Sequence, residues 1–177
     1  MKEKIIEQYG PETLKKSALN IREGEKIISD ILKEGNYKTC LEIGTYRGCT
    51  AAVMSRFCDK VITIDLHEGR LEYYGEKFDR YKFWKSLNVD NVELYLVEND
   101  KEKAELIDRL DFDFAFIDGA HDESVKNDFE LVKHCGTVLF HDYDDRGQPC
   151  LNYVYDFINT LPKEKLTIID IFALWKA

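Results

Sequence analysis

Residues 39–50 read Thr39-Cys40-Leu41-Glu42-Ile43-Gly44-Thr45-Tyr46-Arg47-Gly48-Cys49-Thr50. The first five form a short, mostly apolar strand, and a helical stretch runs from Cys49 to about Phe57. Between them Gly44 and Gly48 flank a turn, where glycine lets the backbone reverse sharply and lets a ligand approach closely. The first peptide N–H groups of a following helix are unpaired and face such a ligand. Downstream, Lys60-Val61-Ile62-Thr63-Ile64-Asp65 is β-branched and ends in an acid. An acid at the end of the second strand, about 20 residues past the first glycine, is where alternating sheets hold a ribose diol.

Working outward, the same alternation repeats. Strands are expected at Val92–Val97, Phe112–Asp118 and Thr137–Asp142, with helices at Lys101–Leu110, Asp122–His134 and Asn152–Leu161. A helical stretch covers Pro11–Glu34, broken at Gly24 and ended by Gly35-Asn36, and another runs over Tyr74–Leu87. Met1–Glu7 reads as a helix start rather than a signal peptide. Leu166–Trp175 closes the chain as one long strand or a tight pair. Strand interiors that are nearly all apolar imply a parallel sheet covered on both faces, in an α/β fold. The layout is one domain of 1–177, with helices over 1–37, a core over 38–145 and a closing helix and strands over 146–177.

Ligands of such sheets bind beyond the carboxyl ends of the strands. Five strand ends meet there: Glu42/Gly44, Asp65, Glu98-Asn99-Asp100, Asp118-Gly119-Ala120-His121 and His141-Asp142-Tyr143. The fold alone does not require that wealth of carboxylates and imidazoles. A dinucleotide would want glycines at 44, 46 and 49, and the chain has Gly44, Tyr46 and Cys49, whose side chains crowd a pyrophosphate. S-adenosylmethionine has no pyrophosphate, and its ammonium and sulfonium suit Glu42 and an acidic cleft.

Composition narrows the partners. The 34 acidic and 25 basic residues leave a formal charge of −9, which weighs against a nucleic-acid backbone as main partner. No apolar run approaches a membrane span. Five cysteines without a C-x-x-C pair suggest neither zinc nor a disulfide framework, so reduced thiols and a cytoplasmic location are expected.

Leu41-Glu42-Ile43-Gly44-Thr45-Tyr46-Arg47-Gly48 and Val61-Ile62-Thr63-Ile64-Asp65 resemble the first two motifs of class I S-adenosylmethionine-dependent methyltransferases. Phe116-Ile117-Asp118-Gly119-Ala120-His121, Ser124-Val125-Lys126-Asn127-Asp128 and Val138-Leu139-Phe140-His141-Asp142-Tyr143 resemble the small-molecule O-methyltransferase branch, macrocin- and catechol-type enzymes included. The resemblance spans about residues 38–145. It implies a three-layer Rossmann-like fold with a mostly parallel seven-stranded sheet whose last strand is antiparallel. It also implies cofactor contacts by Glu42 and Gly44 at the methionine end, by Asp65 at the ribose and by Asn99 or Asp100 near the adenine. Thr45, Gly48 and Asp118 complete the expected cofactor site.

Asp118 and Asp142 end two adjacent strands, so their carboxylates can converge on Mg²⁺, which prefers oxygen ligands. In the metal-dependent relatives such a metal activates vicinal hydroxyls. This chain departs from the catechol pattern at Tyr143 and from the macrolide pattern at His141, which leaves the third ligand open, with Asp144 and Asp145 as candidates. A metal-free alternative uses His121 or His141 as general base, with Asp142 beside it. The aromatic residues Tyr73, Tyr74, Phe78, Tyr81, Phe83 and Trp84 form either a substrate wall or a helix packed on the core. Methyl transfer to a small-molecule acceptor is thus expected. A non-catalytic cofactor-binding module and an NAD-type oxidoreductase are the rivals. The short ending from Leu166 to Ala177 leaves a sheet edge that a second copy of the chain could complete.

Overall fold

The computed structural model describes residues 1–15, 17–20, 23–67, 77–144 and 152–177. Its strands are β1 (Thr39–Ile43), β2 (Lys60–Leu66), β3 (Val92–Val97), β4 (Phe114–Ile117), β5 (Thr137–Phe140), β6 (Leu166–Ile169) and β7 (Phe172–Lys176). They form one sheet in the order β3-β2-β1-β4-β5-β7-β6. The first five run parallel, and β7 is antiparallel to both β5 and β6. The seven-stranded, mostly parallel sheet follows the expectation from the sequence.

Each inner strand is apolar on both sides, and its side chains part into two cores with the two-residue period of the pleat. Cys40, Phe114, Phe116, Leu139, Phe172 and Leu174 face one core, against the helices α1 (Lys2–Tyr9), α2 (Gly24–Gly35), α3 (Cys49–Met54) and α4 (Arg80–Ser86). Leu41, Ile43, Ala115, Ile117, Val138 and Phe140 face the other, against α5 (Asp100–Ile107), α6 (Ser124–Val132) and α7 (Asn152–Ile158). The chain leaves β1 toward one neighbour, β2, and later returns to its other side as β4. The strand order therefore reverses between β1 and β4, and the ligand crevice opens at that reversal.

Two details differ from the sequence reading, and a third selects one of its alternatives. The stretch 11–34 is not one broken helix. Two 3₁₀ turns, Pro11–Leu14 and Ala18–Asn20, precede α2, and Gly24 begins that helix instead of interrupting it. The left-handed Asn36 (φ 52°) ends α2, its N–H bonded to the Leu32 carbonyl. The aromatic helix spans only Arg80–Ser86, capped by the Asp79 side chain on the Lys82 N–H. Phe83 and Trp84 are buried in the core while Tyr81 is exposed, so the core-packing alternative holds for this helix. Tyr73 and Tyr74 lie outside the described residues. At the C-terminus, a turn of only Asp170 and Ile171 suffices for two strands, because Asp170 adopts a left-handed backbone (φ 55°) that aspartate tolerates. The chain thus fills its own sheet edge with β6.

The cysteines also correct the sequence reading: Cys40 and Cys58 are joined as a disulfide, with Cα atoms 6.5 Å apart. β1 and β2 begin side by side, Thr39 opposite Lys60, and both cysteines lie at that end of the sheet. Nothing in cysteine spacing reveals this. Alkylation of the unreduced, denatured protein should label Cys49 and Cys135 and spare Cys40 and Cys58, and reduction should lower stability by about 3 kcal/mol. Alkylation of Cys40 and Cys58 without reductant would show that the bond does not form.

Candidate active site

A cavity of about 280 Å³ lies at the carboxyl ends of β1, β2 and β4. Gly44, Thr45, Asp65, Asp100 and Asp118, read from the sequence as cofactor contacts, are on its wall. Gly44 is the pivot. Its N–H continues the sheet onto the Ile64 carbonyl, its φ is +99°, and a Cβ there would lie 2.2 Å from the backbone oxygen of Asp118. Only glycine allows that approach.

Glu42 and Gly48 do not reach the cavity wall. Glu42 is 1% exposed and lies behind the turn, on the face away from Leu41 and Ile43. The Thr63 hydroxyl donates to its Oε2, and Thr63 in turn lies 2.6 Å from the Thr45 hydroxyl. Burial pushes the Glu42 carboxyl well above its usual range. The Thr63 hydrogen bond opposes this, and the charges of Asp118 and Asp65 reinforce it. Gly48 (φ +74°) serves packing, since a Cβ there would meet the Trp84 ring at 2.5 Å. The Trp84 indole donates to the Gly48 carbonyl and locks α4 to the turn. Asn99 caps α5, its side chain accepting from the Glu102 N–H. Asp100, the alternative to Asn99, is the one of the two on the wall.

At the end of β2, the Asp65 carboxylate accepts the Tyr46 N–H at 3.0 Å and the Arg80 Nη2 at 2.8 Å on the same oxygen. Across the cavity, Lys103 Nζ lies 2.8 Å from Asp100 and 2.6 Å from the buried Asp128. Burial works against charge on both partners, but the two carboxylates hold the Lys103 ammonium above its usual value.

Beyond β4 and β5, four groups converge. His141 Nδ1 lies 3.0 Å from Asp118 Oδ1 and 3.1 Å from Asp142 Oδ2, and His121 Nε2 lies 2.7 Å from that same Asp142 oxygen. Burial disfavours the charged His141, yet Asp118 and Asp142 outweigh it and push the imidazole up to about 10. Burial likewise opposes charge on Asp142, and the two histidines override it, holding the carboxyl far below its usual range. Asp142 has a left-handed backbone (φ 63°). One donor atom each from Asp118, His141 and Asp142 lies within 4.8 Å of the others, a spacing that could hold a metal ion. In this group the third candidate donor is His141. Asp144 is buried and outside this group, and Asp145 lies outside the described residues. Cys49 is inert, its thiol pushed up to about 12 by burial.

The sequence from 41 to 143 matches the family described as "Methyltransferase domain". This chain belongs to that methyltransferase family. No protein of curated function matches it significantly. Among solved structures, the methyltransferase is similar to one from Staphylococcus aureus provisionally described as a caffeoyl-CoA O-methyltransferase (20% identity, 99% of each chain, TM-score 0.68). It is also similar to the O-methyltransferase TomG of Streptomyces achromogenes in complex with S-adenosylmethionine (17% identity, 86% of this chain and 78% of that one, TM-score 0.64). A third is the Bacillus cereus O-methyltransferase in complex with S-adenosylhomocysteine (16% identity, 99% and 96%, TM-score 0.64). At these identities the likeness is one of fold.

The methyltransferase also places residues on or beside the cavity to which the sequence reading assigned no role. Asp128 falls in the quoted 124–128 stretch, and Lys103 lies one helical turn after Asp100, a spacing that can pair them. Arg80 carries no such signal.

The raised Glu42 carboxyl has a consequence for stability. The fold favours its protonated form, so its contribution is complete below the usual value of 4.5 and is lost as pH rises through the raised value. Glu42→Gln has no proton to lose. Thermal melts should show this variant gaining on the parent methyltransferase as pH rises from about 4 to neutrality. A difference independent of pH would mean that Glu42 does not titrate in the fold.

Proposed function

We propose that this methyltransferase moves the methyl group of S-adenosylmethionine to a hydroxyl oxygen of a small molecule. The observation that carries this reading is the double position of Asp118, which belongs to the cavity wall and also touches the His141–Asp142–His121 cluster. Cofactor and acceptor chemistry then meet at one residue. The cavity wall includes five carboxylates, Asp65, Asp100, Asp118, Asp122 and Asp128, against two cations, Arg47 and Lys103. Such a wall attracts the sulfonium and ammonium of the cofactor. Two of the similar structures hold that cofactor or its demethylated product. In this reading Gly44, Thr45, Asp65, Asp100 and Asp118 contact the cofactor, while Glu42, Gly48 and Asn99 shape the turn and the helix behind it.

His121 is the better base of the two histidines. His141 is already protonated near neutrality, between two carboxylates, and has no room for another proton. His121 is 18% exposed at its side chain and is held by Asp142. The acceptor hydroxyl gives its proton to His121 as its oxygen bonds to the methyl carbon and the carbon–sulfur bond breaks, releasing S-adenosylhomocysteine. Holding the hydroxyl in line with that bond supplies most of the rate.

A second reading is favoured by the donor spacing at Asp118, His141 and Asp142. Two carboxylates and one imidazole fit Mn²⁺, Fe²⁺ or Zn²⁺ better than Mg²⁺, whose preference is for oxygen alone. A metal held there would supply Lewis-acid activation of the acceptor hydroxyl.

Asp142→Ala should lower kcat by about 100-fold or more on any phenol or sugar that the parent enzyme methylates. S-adenosylmethionine should still bind it in calorimetry, within about threefold of the parent, since Asp142 is off the cavity wall. Unchanged turnover would overturn the catalytic cluster, and tighter binding of NAD than of S-adenosylmethionine by the parent would overturn the cofactor. Separately, Mn²⁺ titrated into chelator-treated protein should give a binding heat that Asp118→Asn abolishes. No heat, with turnover indifferent to chelator, would remove the metal and leave His121 as base.

A further inference from the structure

We infer that Arg80 is a positioning residue that presets the ribose end of the cofactor cleft, an inference that rests on the cofactor reading above. Arg80 opens α4, some distance along the chain from either element it touches, and its side chain is only 11% exposed. Its Nη2 donates to Asp65 Oδ2 at 2.8 Å and its Nε donates to the Tyr46 carbonyl. The Tyr46 N–H donates to that same Asp65 oxygen at 3.0 Å. These three bonds close a ring in which both polar groups of residue 46 are held by one ion pair.

Two consequences follow for the cleft. First, Tyr46 has a left-handed backbone, φ 46°, which a residue with a Cβ disfavours. The ring compensates for that conformation, and the conformation shapes the turn from Gly44 to Gly48 that walls the cavity. Second, the fork of the guanidinium fixes the rotation of the Asp65 carboxylate, because a planar donor pair can bond carboxylate and carbonyl together only in one orientation. Leu66 N–H holds the other oxygen, Oδ1, at 3.1 Å. Asp65 is therefore already oriented when a ribose hydroxyl arrives, and the ordering cost is met in the free protein.

Arg80→Met keeps most of the buried stem and removes the fork, whereas Arg80→Lys keeps a charge but bonds one partner at a time. Calorimetric titration with S-adenosylmethionine should show affinity falling roughly tenfold or more in Arg80→Met and by less in Arg80→Lys, as loss of charge-assisted bonds to Asp65 and Tyr46 requires. At saturating cofactor, kcat should stay within about threefold, because Arg80 is remote from the His121–Asp142 cluster. The deciding readout is a cycle with adenosine and its 2′- and 3′-deoxy analogues. Removing a ribose hydroxyl should cost the parent protein about tenfold and cost Arg80→Met clearly less, since Asp65 is no longer aimed.

Equal deoxy penalties in the two proteins would overturn the inference and reduce Arg80 to a structural ion pair, and so would unchanged affinity in Arg80→Met. If Arg80→Met fails to fold by circular dichroism, the same cycle is run on Arg80→Lys with the same criterion. Failure of the parent protein to bind S-adenosylmethionine at all is a separate result, which overturns the cofactor reading and this inference with it.

Discussion

A Cβ on residue 44 would lie 2.2 Å from the backbone oxygen of Asp118, and the site depends on that near-contact between the ends of β1 and β4. These are the two strands at which the sheet order reverses. Because the backbones touch there, the turn after β1 cannot close over the crevice, and Asp118 is delivered to the cavity edge. The Gly44 N–H still bonds the Ile64 carbonyl of β2, so the turn is anchored on one side by the sheet and on the other by steric contact. Thr45 on one flank of the cavity and Asp118 and Gly119 on the other take their places from this junction.

Charge is managed differently on the two flanks. Behind the turn, burial pushes the Glu42 carboxyl up and Thr63 donates to it, so it is held as a hydrogen-bonded core residue. Beyond β4 and β5, the opposite outcome holds. Asp118, Asp142 and His141 are packed closely enough for each charge to sustain the others, which keeps His141 cationic and Asp142 anionic despite burial. An uncompensated ion at either position would cost several kcal/mol, so the cluster is stable only as a unit.

The framework was legible in the sequence because it is written in local pattern. Apolar strand interiors ending in Gly44, Asp65, Asp118 and Asp142 place themselves at one edge once the sheet is recognised as parallel. What escaped depends on contacts between distant segments. Cys58 meets Cys40 because β1 and β2 begin side by side, which no cysteine spacing encodes. Arg80 meets Asp65 because α4 begins where it does, after a stretch without clear periodicity. The His141–Asp142 pair is subtler. Strand alternation would send neighbouring side chains to opposite faces. β5 ends at Phe140, however, and the left-handed backbone at Asp142 turns its carboxylate back to within 3.1 Å of the His141 imidazole. The approach of Asp118 and Asp142 was readable from their adjacent strands, but the turn that brings His141 onto the same carboxylates was not.

The distribution of buried charge separates scaffold from site. Among the described residues, the buried residues of ionisable acid or base type are Glu42, Lys103, Asp128, His141 and Asp144. All belong to the carboxyl edge of the sheet or to the helices flanking it. The opposite edge is closed by other means, the Cys40–Cys58 bond and the Asp113 carboxylate capping the Lys38 and Thr39 N–H groups near solvent. Burying paired ions contributes little to stability compared with apolar packing of the same volume. Stability alone would therefore spread such groups over both ends or omit them. Their concentration at one end of the sheet, where the cavity opens, is the physical reason for reading this edge as the working face of the methyltransferase.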